Sequence, residues 1–185
     1  MAGEKKEDPP VTEESETKTQ VFKIDDELQA SKPENTVFSL GLAVSYMMNK
    51  KAFAKQQFGM WSRVLVGQIN RGHFLFIHRG LKVVGFAGWS ITNEKRAEDW
   101  LAGRADIPYA ESMEGDCFVF NAWAADDLEA HRFLLDQMRP VFEPCKMIYY
   151  KRVYADKGTR AVRLAVNDFV AAHIDRKKGS KKTST

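Results

Sequence analysis

The chain has little cysteine and no long apolar run, and each scarcity excludes a class of protein. Two cysteines among 185 residues, Cys117 and Cys145, share no CxxC spacing, so neither a disulfide framework nor a metal site built on them is expected. Reduced thiols of this kind point to a cytoplasmic protein. The longest mostly apolar stretch, 38–48, is far short of the about 20 residues that cross a bilayer, so no membrane span is expected. The chain begins Met-Ala-Gly-Glu-Lys-Lys-Glu-Asp, without an apolar h-region, and a cleaved signal peptide is not expected.

What is present is enough for one core. Hydrophobic residues make up 44% and charged residues 29%, within the globular range. The net charge of +3 is unevenly spread. Residues 1–35 hold ten acids against five bases, residues 175–185 five bases against one acid, and residues 36–174 eighteen bases against fourteen acids. The chain thus reads as a disordered acidic leader (1–35), a mildly basic domain (36–174) and a disordered basic tail (175–185). The tail, Arg176-Lys-Lys-Gly-Ser-Lys-Lys182, does not by itself argue for a nucleic-acid partner, since a solvated tail accounts for it.

Local patterns place the elements. In the leader, 21–24 has the composition of a short strand. Asn35 or Thr36 can cap a first helix with a stripe of Phe38, Leu42, Val44, Met47 and Met48. A second helix is predicted at 60–69, closed by Gly72. Segments 73–78 and 81–91 flank Arg79-Gly80 as a hairpin. Thr92 can cap a third helix over 93–102, and 117–124 reads as a strand. Asp126-Asp127 opens a fourth helix to Met138, ended by Pro140 and Pro144, and 147–154 with 160–166 forms a last hairpin. Antiparallel pairs followed by strands alternating with helices give a mixed α/β sheet. The order resembles the N-acetyltransferase (GNAT) superfamily: a single GNAT-like α/β domain, its mixed, mostly antiparallel sheet flanked by helices. In the coenzyme A version of that fold a Gly-rich loop before the third helix holds pyrophosphate, and Gly88-Trp89-Ser90-Ile91-Thr92-Asn93 lacks the glycines. No bound cofactor is expected.

Four ordered patterns are similar to the RTX toxin-activating lysine acyltransferases of the hemolysin-activating type. They are Ser39-Leu-Gly-Leu-Ala-Val-Ser-Tyr46, Val83-Val-Gly-Phe-Ala-Gly-Trp-Ser90, Gly115-Asp116 with the strand ending Ala122-Trp123, and Lys151-Arg152-Val-Tyr. The resemblance implies transfer of a fatty acyl group from acyl-acyl carrier protein to the ε-amine of a lysine in a protein substrate. The carrier is acidic, which suits a mildly basic domain. It also leaves a homodimer, paired through sheet or hairpin, open. The family's histidine and aspartate positions fall on Ala54 and Ala122, neither of which moves a proton. The alternative is therefore a catalytically inactive relative that binds a carrier protein or another partner.

Other residues are candidates for the chemistry, each with a plainer reading. Asp116 and His131 are the candidate catalytic residues; Asp116 also suits the turn after Gly115, and His131 a helix surface. Trp89, Asn121 and Trp123 are candidate substrate-binding residues, with core packing the alternative for the tryptophans. In a regular strand Asn121 faces away from Ala122, and His73 and His78 fall on opposite faces. His173 is expected in solvent. Cys117 as a nucleophile would need a lowered pKa, and no cation adjoins it in sequence.

Overall fold

Asn35 starts the first helix, its Oδ1 accepting the Phe38 N–H at 2.9 Å, and α1 runs Thr36–Met47. The structure, a computed structural model, describes residues 26–154 and 158–167; segment 21–24, His173 and the basic tail lie outside them. The face that α1 buries is Ser39, Ala43, Tyr46 and Met47. Phe38 and Met48, two members of the predicted stripe, are exposed. Small residues decide this: Ser39 and Ala43 let the helix lie close to the sheet, where bulkier side chains would hold it away.

A strand precedes α1. β1 (Leu28–Ser31) pairs antiparallel with β2 (Phe74–Arg79), and Ser31 Oγ lies 2.8 Å from His78 Nε2. The folded region thus begins inside the segment that composition marks as leader. Four residues among charges carry no readable alternation; the edge of β2 supplies their partner.

β2 turns at Gly80 into β3 (Lys82–Thr92), and β4 (Cys117–Ala125) lies antiparallel beside β3. β5 (Met147–Tyr154) then runs parallel to β4, with β6 (Gly158–Ala165) antiparallel outside it. The result is one six-stranded sheet in sequence order, mostly antiparallel and flanked by helices. On one face lie α1 and α3 (Phe58–Arg71), preceded by the single turn α2 (Lys51–Ala54). α5 (Leu128–Phe142) covers the other face, and α4 (Glu94–Leu101) packs its Ala97 and Leu101 with Cys117, Val119 and Tyr149. Asn93, not Thr92, caps α4, its Oδ1 accepting the Arg96 N–H at 2.9 Å. Thr92 belongs to β3 and is buried.

α5 also continues through Pro140, two residues before its end. A proline there forfeits one hydrogen bond in the last turn. Burial of Phe142 offsets the loss: its ring sits 5.9 Å from Phe118 and 6.3 Å from Phe120. Burying a phenylalanine is worth about 1.5–3 kcal/mol, comparable to the break.

One irregularity positions everything functional. Gly88 pairs with Ala122 but Trp89 pairs with Phe120, so Asn121 is the extra residue of a β-bulge. The bulge turns Asn121 and Ala122 to the same face, towards α3, against the alternation of a regular strand. Opposite it, the buried Gln68 of α3 lies directly on Gly88, where a methyl group would overlap its carboxamide.

Gly88→Ala should therefore destabilise the domain by about 1–3 kcal/mol, the usual cost of overpacking. In a Gln68→Ala background the same substitution should cost much less. Urea unfolding of the four proteins checks this; equal costs in both backgrounds would show that Gln68 does not press on Gly88.

Candidate functional site

β4 and β5 are paired from Cys117 and Met147 to Phe120 and Tyr150, and no further. Both strands continue past that point, so they part and leave a gap in the sheet. Through it runs a cleft of about 1530 Å³, lined from both layers. Trp61, Leu65 and Arg71 of α3 contribute one wall, and Leu135, Arg139 and Phe142 of α5 another. Its volume exceeds the roughly 300–1,000 Å³ of ordinary small-molecule sites, enough for an extended apolar chain. Five cationic side chains line it, Arg63, Arg71, Arg139, Lys151 and Arg152, against one carboxylate, Asp106. The Lys151 ammonium lies 4.4 Å from the Trp100 ring centre, and burial lowers its pKa, with Asp106 opposing.

A polar chain runs behind the cleft wall at the bulge and reaches the cleft at Asn121 and Arg71. Gln68 Nε2 donates to Asn121 Oδ1, and Asn121 Nδ2 donates to Ser90 Oγ at 3.3 Å. Arg71 Nη2 reaches the same hydroxyl oxygen at 3.3 Å, and its guanidinium lies 5.5 Å from the Tyr109 ring centre. Helical spacing sets Gln68 and Arg71, three residues apart, on one side of α3. Four buried side-chain atoms have no partner among the described residues: Gln68 Oε1, Arg71 Nε, His73 Nδ1 and Thr92 Oγ1. All belong to the C-terminal end of α3, the residues just after it, or the end of β3. Buried polar groups are nearly always satisfied, and of these four residues Arg71 is the one that lines the cleft.

Asn121 and Trp123 line the cleft, and so does His131. Trp123 Nε1 donates to His131 Nδ1 at 3.2 Å. An indole N–H can only donate, so Nδ1 is the acceptor and the imidazole proton sits on Nε2. The nitrogen with the free electron pair is thus already engaged. Trp89 is elsewhere: it is stacked between His73, 5.7 Å away, and Phe118, 5.9 Å away, in the core beneath α5. Asp116 is also remote, about 16 Å from Asn121 at strand rise. Its carboxylate is held by Lys146 at 2.6 Å, which with the Cys117 thiol keeps it below the usual carboxylate range. Ala122 is buried in the cleft wall, whereas Ala54 is exposed at the end of α2. Burial pushes the Cys117 thiol up to about 12, with Asp116 adding to it, which leaves no thiolate at neutral pH.

Gln68, Arg71 and Tyr109 carry the site without standing out in the sequence. The one available signal is a glutamine on the inward face of an amphipathic helix, opposite a strand glycine. Among the described residues no cluster of His, Cys, Asp or Glu could hold a metal ion, and no helix is long and apolar enough to cross a membrane.

No protein-family model matches the chain, and no curated protein does. Solved structures similar to it include a GCN5-related N-acetyltransferase from Kribbella flavida, with TM-score 0.40 and 12% identity over 70% of this chain. A Desulfovibrio desulfuricans protein assigned to the GNAT acetyltransferase family has TM-score 0.42 and 11% identity over 76%. The chain spans 32% of the first protein's length and 99% of the second's. Likeness at this level carries no residue-by-residue correspondence.

His73 is the group in this region whose titration couples to folding. Burial pushes it down to about 4, with Arg71 and then Lys32 adding to the effect. The unfolded chain, with histidine near 6.5, binds the extra proton first as pH falls. Stability should be fully present above about pH 6.5 and decline between about 6.5 and 4. Urea midpoints across that range check this, and His73→Phe, which keeps a ring against Trp89, should flatten that part of the slope. An unchanged slope would place the titration elsewhere.

Proposed function

We propose that this protein is an acyltransferase, moving an acyl group from the thioester of an acyl carrier protein to an amine. The acceptor in this reading is the ε-amine of a lysine in a protein substrate, as in the toxin-activating lysine acyltransferases that the sequence resembles. The supporting observation is the cleft that opens where β4 and β5 part, with a bulge at its waist and apolar side chains along both walls. An acyl chain fits such walls, and the excess of bases over acids suits an acidic carrier.

Coenzyme A fits less well. The helix between the two parallel strands is α5, and the turn that enters it is Ala125-Asp126-Asp127, without glycine. Asp127 Oδ1 accepts the Ala130 N–H at 2.8 Å, while the Asp126 carboxylate pairs with Lys50 and Lys82. A carboxylate thus occupies the helix end whose N–H groups would otherwise receive a pyrophosphate. We place the reaction in the cytoplasm, where Cys117 and Cys145, both buried and free, stay reduced.

In the transfer step the amine nitrogen attacks the thioester carbonyl carbon, the carbon–sulfur bond breaks, and the carrier thiol leaves with a proton. A lysine ammonium must first lose its proton. His131 is engaged by Trp123 and Ala122 cannot serve, so the reading assigns that proton to solvent and the acceleration to positioning. The rate at subsaturating acceptor should then rise about tenfold per pH unit from 7 towards 10, following the free amine. Radiolabelled acyl-carrier protein with a lysine peptide measures it. A plateau near pH 7 would reveal a histidine base, and no transfer above a heat-killed control would end the reading.

A second reading is a carrier- or partner-binding module without turnover, motivated by Ala54 and Ala122. It expects carrier binding but no transfer by the native protein, and turnover on introducing Ala54→His with Ala122→Asp. Native turnover equal to or above that of the double variant rules it out.

A further inference from the structure

Arg71 is a feature of the cleft for which transfer of a plain acyl chain has no use. It ends α3 on the cleft wall, with Nη2 on Ser90 Oγ at 3.3 Å, its face over Tyr109 and its buried Nε without a partner. Other arginines of the lining have partners. Arg63 Nε donates to the Gly59 carbonyl at 2.8 Å, Arg139 faces Asp136 at 3.6 Å, and Arg152 lies over Tyr154. Among the described residues no carboxylate pairs with Arg71, and burial disfavours its charged form, with Tyr109 opposing. Holding a guanidinium there is costly unless something anionic meets it.

The geometry also says what shape that group has. Nε and Nη2 lie on one edge of the guanidinium and donate side by side, matching two oxygens of a carboxylate or phosphate. Ser90, buried behind the cleft wall, accepts from both Asn121 and Arg71 and so fixes the guanidinium in place. Tyr109, another residue of the cleft lining, lies 5.5 Å from the guanidinium carbon and flanks the group on that side. We propose that Arg71 is the receptor for a carboxylate or phosphate group on the cleft's ligand, whose apolar body lies along Phe120, Trp123 and Leu135.

This deepens the acyl-transfer reading by giving its substrate a charged group, and rests on that reading for the cleft being the substrate site. Its test is binding, not turnover. Calorimetry on the full chain compares decanoate, decyl phosphate and decanol, each below its micelle concentration. At least one anion should bind the wild type about tenfold to a hundredfold tighter than decanol, the range for charge-assisted hydrogen bonds. Arg71→Gln should bring that anion to within about threefold of decanol and leave decanol binding unchanged. Preference for the phosphate would identify a phosphate-bearing arm as the source, and preference for decanoate a carboxylate on the acyl group or acceptor.

Decanol binding as tightly as both anions, no binding by any of the three, or a preference that survives Arg71→Gln would each overturn the proposal. Should Arg71→Gln fail to fold, Arg71→Lys keeps the charge without the two-pronged edge, and should lose most of the preference; a preference it retains in full overturns the proposal. Loss of acyl transfer with the anion preference intact removes the reading above and leaves this one standing. Transfer without the preference does the reverse.

Discussion

The β4–β5 ladder ends after Phe120 and Tyr150, and the rest of the molecule is arranged around that ending. The two strands are clamped at the other end. Lys146 N–H donates to the Asp116 carbonyl at 2.7 Å, and Phe118 packs on Phe142 as α5 finishes its crossover. With one end fixed by aromatic packing and the other released, the strands diverge as the sheet twists. The bulge at Asn121 sharpens the divergence, because an extra residue bends its own strand and raises the local twist. A gap in the middle of a sheet leaves backbone groups without ladder partners. It persists because α3 and α5 close over it from opposite faces.

Charge follows the same division. At the corner between β4 and α5, Asp126 is met by Tyr46, Lys50 and Lys82. Burial alone would raise its carboxyl pKa, yet the bonds from Lys50 and Tyr46 hold it below the usual range. The Tyr46 phenol is correspondingly held protonated, by its burial first and then by Asp126. This corner ties α1 to the start of α5 and neutralises its own charges locally. The cleft that runs through the gap has cations in excess and a single carboxylate, Asp106. An anion approaching this protein therefore meets a carboxylate-capped helix end at the corner and an excess of cations in the cleft.

Much of this architecture can be read from the sequence, because periodicity and punctuation carry it. Gly72 and Gly80 end α3 and turn the hairpin at positive φ of 69° and 57°, and Asp127 caps α5. The failures have local causes. β1 exists because a neighbouring edge accepts it, which four residues cannot announce. In α1 the expected stripe is right at Leu42, Val44 and Met47 and misses only at Phe38 and Met48, because small Ser39 and Ala43 share the inward face. The bulge cannot be seen in an apolar run from Cys117 to Ala125, and missing it puts Asn121 and Ala122 on opposite faces of the sheet. Trp89 and Trp123 look equivalent in sequence, yet opposite surroundings make one a core stack and the other a cleft wall.

The same bulge explains why the polar site stands where it does. Two of the positions at which the resemblance expects proton-moving groups are alanines, and Ala122 is one of the two residues that the bulge turns towards α3. Its neighbour Asn121 points the same way and is bonded to Gln68 and Ser90 instead. The polar side chains at this point of the sheet are thus Asn121 on β4 and Gln68 on α3. Gln68 can be neutral and buried there only because Gly88 leaves room for its carboxamide. An ionised side chain in that place would lie buried beside Arg71 and quench the free edge of its guanidinium. A neutral amide secures the bulge and leaves the arginine's donors for whatever enters the cleft.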